Sequence, residues 1–214
     1  DITPPLGGNM AGYASRDSVS SSVADALRAK ALVVADGATK AAIITSDLLG
    51  MPASRVAQVR DSIAAATDIP PANVLISCSH THFGPDIEDG SGEAYVDVLC
   101  DKLATAAILA NSALQPARMG HGEGYVDTIS FNRHTLLPDG SAQTNYRMPE
   151  DTSQLTFGPI DPAVRVVRVD AVDGSPIASL INFACHPVTS TDHMYALSAD
   201  YPGHAMNVIE NEEG

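Results

Sequence analysis

Asp-Gly pairs do most to limit what this chain can fold into. Asp36-Gly37 separates "LRAKALVVA" from "KAAIIT", and Asp173-Gly174 separates "VRVVRVDAV" from "SPIASLINFAC". Asp-Gly accepts the positive φ angles of a tight hairpin, and the flanking stretches have strand character. Each pair therefore predicts two antiparallel strands. Asp139-Gly140 lies in the polar stretch "RHTLLPDGSAQTNYRMPEDTSQ", which reads as a long excursion carrying at most a short hairpin.

Helical periodicity appears between these strands. In "PASRVAQVRDSIAAAT", Val56, Val59 and Ile63 share one face, and Pro52 suits a first helical turn. "GEAYVDVLCDKLATAAILANSAL" places Val98, Leu99, Leu103, Ala106 and Ala110 on a second apolar face. A third helix begins near Pro202 and runs through Met206 and Ile209 into "ENEEG". Between the first two lies "ANVLISCS", whose apolar character predicts a short strand buried on both faces. The resulting fold class is α/β: a mixed sheet with hairpins and flanking helices, forming one domain over 1–214 within a larger catalytic domain. The sequence ends in or just after a helix with no closing strand, which suggests part of a longer polypeptide.

Composition narrows the function classes. With 44% hydrophobic residues in 214, the chain can bury one substantial core, and with 5% aromatics and no Trp that core must be mostly aliphatic. A net charge of −14 argues against nucleic acid or an anionic membrane surface as partner. No apolar run reaches the roughly 18 residues of a membrane-spanning helix, and no basic segment followed by an apolar one opens the sequence. Cys78, Cys100 and Cys185 are too widely spaced for a CxxC zinc motif and read as small buried hydrophobes. Met10 and Met51 read as packing residues. A nucleophile elbow of the Gly-x-Ser-x-Gly type and a phosphate-binding glycine loop are both missing from the sequence.

The chemistry-bearing feature is "ISCSHTHFGPD". Side chains two apart on a strand share a face, so His80 and His82 present both imidazoles to one side if the strand persists through them. "FGPD" then ends the strand and opens a loop. "IASLINFACHP" is a second apolar strand, ending in His186 before Pro187. Two strands ending in histidine suggest a shared divalent cation, and neutral imidazole is the commonest protein ligand for zinc. The neighbours exclude two familiar His-x-His sites. A metallo-β-lactamase-type site would continue to Asp-His where Gly84 and Pro85 stand, and an amidohydrolase barrel would not open with two hairpin strands and a helix.

The wider pattern resembles the neutral/alkaline, non-lysosomal ceramidases. The similarity is carried by "DITPPLGGNMAGYASR", "LRAKALVV", "SDLLG", "SHTHFGP", "FNRH" and "FACHPVT", followed by "LSADYPG". It implies a Zn²⁺-dependent amidase that hydrolyses the N-acyl bond of ceramide, a small-molecule lipid amide, to a sphingoid base and a fatty acid. It also favours a secreted or periplasmic setting. Under this resemblance His80 and His186 match zinc ligands, and His82 matches a histidine that faces the substrate. Arg133 in "FNRH" matches an arginine that contacts the reacting group, although the family's usual continuation after "NR" is not evident. Asp200 and Gly203 match a segment close to the site. The family's remaining ligands, a glutamate and a tyrosine, belong to a later C-terminal part of the polypeptide outside these residues, as does a Gly-Asp-containing stretch. Two alternatives stand beside this reading: a three-histidine zinc site built from His80, His82 and His186 acting on another amide or ester, and a scaffold without turnover.

Overall fold

The computed structural model describes residues 1–88 and 92–213; Gly214, the last residue of the expected third helix, lies outside them. Its elements in chain order begin with β1 (Ser22–Val23), β2 (Ala29–Asp36), β3 (Thr39–Ser46), α1 (Ala53–Ala66), β4 (Val74–Cys78) and α2 (Glu93–Ser112). Six strands follow: β5 (Ala117–Tyr125), β6 (His134–Leu136), β7 (Ala142–Thr144), β8 (Thr156–Phe157), β9 (Ala163–Ala171) and β10 (Pro176–Phe183). The last elements are β11 (Ala196–Leu197) and α3 (Asp200–Glu213). The architecture is mixed α/β, with several small sheets and helices. Its contacts define two compact units, one of Asp1–Gln115 with Pro187–Gly214 and one of Pro116–His186.

The first unit is built on the sheet β2-β3-β4. Gly37 takes φ +59° at the turn, and β2 and β3 pair antiparallel from Ala29↔Ser46 to Asp36↔Thr39, as the Asp-Gly signal predicts. The chain then crosses through α1 to lay β4 parallel to β3, from Ala42↔Val74 to Ser46↔Cys78. That connection makes the sheet mixed.

Alternation along the strands sets the core. Val33, Ala42, Ile44 and Val74 point into it and meet Val59 and Ile63 of α1 and Leu99, Cys100, Leu103, Ala104 and Ala107 of α2. Each fully buried Leu or Ile here contributes about 1.5–3 kcal/mol relative to exposure. Two expectations change. β4 is an edge strand buried on one face only, with Leu75 55% exposed. Val98 is half-exposed, and Val96 takes the inward position instead, because the helix face rotates to follow the Leu99–Leu103 ridge. Pro52 sits at the N-cap of α1, one place before the first turn. Met10 and Met51 do pack, Met10 with Phe83 and Leu197. Among the cysteines only Cys100 is buried; Cys78 and Cys185 are partly exposed.

The second unit contains the sheets β10-β9-β5 and β7-β6-β8. The β9–β10 hairpin forms as predicted, but its loop is longer than two residues: Gly174 N–H donates to the Ala171 carbonyl, and the Ser175 carbonyl accepts from Ala171 N–H. The Asp173 carboxylate accepts from both the backbone N–H and the hydroxyl of Ser175. Asp139 repeats this arrangement with Ser141 in the β6–β7 hairpin. Asp-Gly-Ser at both places thus closes its own turn. The excursion carries that short hairpin together with a third strand, β8, against β6.

Candidate metal centre

The site starts from the parallel pairing of β3 and β4. Strands that run together reach the same sheet edge together, and in open α/β sheets ligand sites gather at that carboxyl edge. The segments after the two strands stay joined: Ser79 N–H donates to the Ser46 carbonyl at 2.9 Å, and His80 N–H donates to the Leu48 carbonyl at 2.9 Å. The sequence stretches "SDLLG" and "SHTHFGP" are therefore one structural feature.

His80 leaves the strand in the left-handed region, with φ +67°. Histidine tolerates that region better than most residues, though at some cost. The turn brings its Nδ1 to 2.7 Å from the Leu49 carbonyl. A carbonyl accepts only, so Nδ1 carries the proton and Nε2 keeps the ring's lone pair for a ligand. The expectation that strand alternation presents His80 and His82 together is corrected here: β4 ends at Cys78, and the left-handed turn brings the rings to 5.2 Å between centroids.

His82 is held from several sides of the first unit. Thr81, fully buried, donates its hydroxyl to the Ser198 carbonyl at 2.8 Å and accepts from Phe83 N–H at 3.2 Å. The Tyr13 ring meets the His82 imidazole edge-on at 4.9 Å. His82 N–H points at the Pro187 carbonyl, at a long 3.5 Å. His186 is peptide-bonded to Pro187 and lies beyond the end of β10, which stops at Phe183 and is exposed at Ile181 and Asn182. Neither histidine-bearing strand is thus buried on both faces, nor does either reach its histidine. One donor atom from each of His80, His82 and His186 lies within 4.8 Å of the others. Zinc–imidazole bonds of about 2.0–2.1 Å hold tetrahedral nitrogens about 3.4 Å apart, so the three rings would draw closer together around an ion.

Asp47, the residue after β3, is buried at 2% exposure. Burial pushes its carboxyl up to about 6, against the opposing effect of the hydrogen bond from Arg28 N–H at 2.8 Å. The folded state therefore keeps a proton that the unfolded chain, near 3.8, has lost. Stability falls as pH rises from about 4 to about 6 and is level above that. Asp47→Asn is expected to gain about 2 kcal/mol on the wild type between pH 4.5 and 7.5. Urea unfolding at both pH values checks this, and an unchanged difference would show that Asp47 titrates normally.

Arg133 lies in the second unit, exposed, immediately before β6. Its guanidinium sits 5.8 Å from the Tyr146 ring centroid, and its carbonyl accepts from Asn145 N–H at 2.8 Å. Asp200 and Gly203 are buried in the first turn of α3. Asp200, at φ +58°, accepts from the Thr189 backbone and hydroxyl at 3.0 and 3.1 Å. A Cβ on Gly203 would lie 2.4 Å from the Ala199 Cβ. Both residues are accounted for by the folding of the segment after Pro187. Sequence reasoning gave no part to Arg16, which donates to the His82 carbonyl at 2.9 Å. It lies in "GYASRDSVSSSVAD", a Ser-rich stretch that reads only as an ordered loop.

His80, His82 and His186 are thus candidate ligands for one metal ion. The family described as neutral/alkaline non-lysosomal ceramidase, N-terminal, matches residues 1–214, and the chain belongs to that family. Neutral ceramidase A of Dictyostelium discoideum is 26% identical over 225 residues, covering 98% of this chain and 30% of that protein. Neutral ceramidase B of the same organism is 24% identical, covering 95% and 29%. The crystal structure of neutral ceramidase from Pseudomonas aeruginosa matches the fold with a TM-score of 0.75 at 20% identity, covering all of this chain and 35% of that one. A ceramidase complexed with C2 matches with a TM-score of 0.74 at 21% identity, covering 34% of that chain. The chain thus spans about a third of the length of the relatives it matches.

Proposed function

We propose that residues 1–214 are the N-terminal part of a catalytic region that hydrolyses the N-acyl bond of ceramide or a related lipid amide with zinc. The observation that carries this is the cluster of His80, His82 and His186 donor atoms within 4.8 Å in a chain of this family. His80 and His186 would hold the ion, with a glutamate and a tyrosine from a later part of the polypeptide completing its ligands. When bound, zinc supplies a Lewis acid for the amide carbonyl and lowers the pKa of water to about 7.

The chain's own residues supply positioning and proton movement. His82 takes a proton from the attacking water as the C–O bond forms and the carbonyl π electrons move to oxygen, then passes it to the nitrogen as the C–N bond breaks and the sphingoid base leaves as an amine. Arg133 stabilises the charge developing on the carbonyl oxygen through the donors of its guanidinium. Leu49 fixes the His80 tautomer through its carbonyl. The lipid partner also agrees with the charge: an acidic chain has no attraction for nucleic acid, and no helix among the described residues is long and apolar enough to cross a membrane.

A second reading has its own support, because the His82 donor atom belongs to the same cluster as the other two. In that case His80, His82 and His186 form a three-histidine site. His82→Ala separates the two. Zinc content, measured by elemental analysis after dialysis, is expected to stay near the wild-type value while amide hydrolysis by the polypeptide carrying this region falls about a hundredfold or more. A steep fall in zinc makes His82 a ligand. A longer polypeptide that carries this region and the later ligands yet takes up no zinc and hydrolyses no amide, with or without chelator, favours the scaffold without turnover.

A further inference from the structure

Arg16 reaches the candidate site from a loop that the proposed chemistry does not use. Its Nη1 donates to the Ala11 carbonyl at 2.8 Å and its Nη2 to the His82 carbonyl at 2.9 Å. One planar fork thus ties the loop that precedes it to the backbone of the histidine. The same guanidinium lies 5.1 Å from the Tyr13 ring centroid and 5.8 Å from that of Phe83. Tyr13 in turn meets the His82 ring edge-on and is anchored by its hydroxyl, which donates to the Ser190 carbonyl at 3.0 Å.

Gly12 closes the other side. Its φ of +105° suits glycine, and a Cβ there would lie 2.5 Å from the His82 Cγ and 2.7 Å from its Nδ1. That is well inside contact distance, so the ring packs directly on the Gly12 backbone. Burial lowers the Arg16 pKa from its ordinary value, yet the group stays cationic at neutral pH.

We propose that Arg16 is a positioning residue: with Gly12 and Tyr13 it forms a cradle that sets the place and tilt of the His82 imidazole. The inference rests on the reading of His82 as the group that faces substrate. A planar two-armed donor is needed because two carbonyls from separate segments must be held at once. Lysine lacks that fixed planar pair of donors.

The test uses Arg16→Met and Arg16→Lys, with the His82 ring signals followed by long-range ¹⁵N–¹H NMR on the chain. Arg16→Met is expected to shift the His82 ring resonances, leave those of His121 in place and keep wild-type zinc content. In the polypeptide carrying this region kcat should fall about tenfold to a hundredfold with KM unchanged. Arg16→Lys recovers part of both effects. His82 signals in Arg16→Met that match the wild type overturn the proposal, as does equal loss in the Lys and Met variants. If Arg16→Met does not fold, Gly12→Ala gives the same reading: its Cβ must displace the ring, and undisturbed His82 signals overturn the cradle. Full activity in His82→Ala would remove the catalytic reading alone, and the NMR result would still decide the positioning.

Discussion

Replacing His80 by glycine is expected to abolish zinc binding without weakening the fold. The wild-type residue sits at φ +67°, where a side chain costs energy and glycine does not. Removing the side chain there relieves backbone strain of about 1–2 kcal/mol in the metal-free chain, which offsets the lost Nδ1 hydrogen bond. What it deletes is the imidazole whose Nδ1 is held by the Leu49 carbonyl, which leaves Nε2 as the proposed ligand atom. Zinc content should drop from about one per chain to below about a tenth. Amide hydrolysis by the polypeptide carrying this region should fall at least about a thousandfold, since water loses a pKa reduction from about 16 to about 7. His121→Ala, on the exposed strand β5, serves as the matched control and should keep both. Elemental analysis, an amide-hydrolysis assay and thermal unfolding of the metal-free forms together give the result. Undiminished zinc in His80→Gly would remove His80 from the ligand set.

Phe83→Ala carries the largest expected stability loss. Phe83 is 1% exposed and packs with Met10 and Leu197, while Tyr13 and Met194 close the cluster. It is also pinned by its backbone, receiving Ser198 N–H on its carbonyl at 3.0 Å and donating to the Thr81 hydroxyl. The ring cannot be replaced by collapse of such fixed neighbours, so the cavity persists. The expected loss is about 3–5 kcal/mol, read as a fall of roughly 10 °C in the unfolding midpoint. Phe83→Leu should restore more than half of it, because most of the apolar volume returns. Because Phe83 follows His82 directly and its ring lies 6.0 Å from that of Tyr13, Phe83→Ala should also weaken zinc retention if zinc is bound as proposed, and Phe83→Leu should recover it. A loss below about 1 kcal/mol would mean that this small cluster reorganises freely.

Much of the fold was legible where local chemistry and tertiary context agree. Asp36-Gly37 and Asp173-Gly174 named two hairpins because positive φ at the turn is a local requirement. The spacing of Val59 and Ile63 named the buried face of α1 for the same reason. β5 was not legible. In "ARMGHGEGY" glycine recurs at alternate positions and every residue is exposed, so neither apolar periodicity nor strand propensity marks it. Its conformation comes from pairing with β9 over its whole length, from Ala117↔Ala171 to Tyr125↔Ala163, and such pairing is invisible to a local reading. β4 shows the opposite failure. Its residues are apolar, yet Leu75 is exposed, because an apolar side chain does not report which sheet position it will occupy.

At the site, residue types along the chain named the imidazoles of His80, His82 and His186, since ligand chemistry belongs to the side chain itself. How they come together belonged to the folded chain alone. Strand alternation was the wrong device: the pair forms through a left-handed turn at His80, secured by carbonyls of the segment after β3. The part played by Arg16 and Gly12 was equally hidden, because an arginine in a serine-rich loop and a glycine before a tyrosine acquire meaning only from the His82 backbone and ring they touch. Side-chain chemistry is written residue by residue, but hydrogen bonds and packing between segments more than sixty positions apart exist only once the chain has closed on itself.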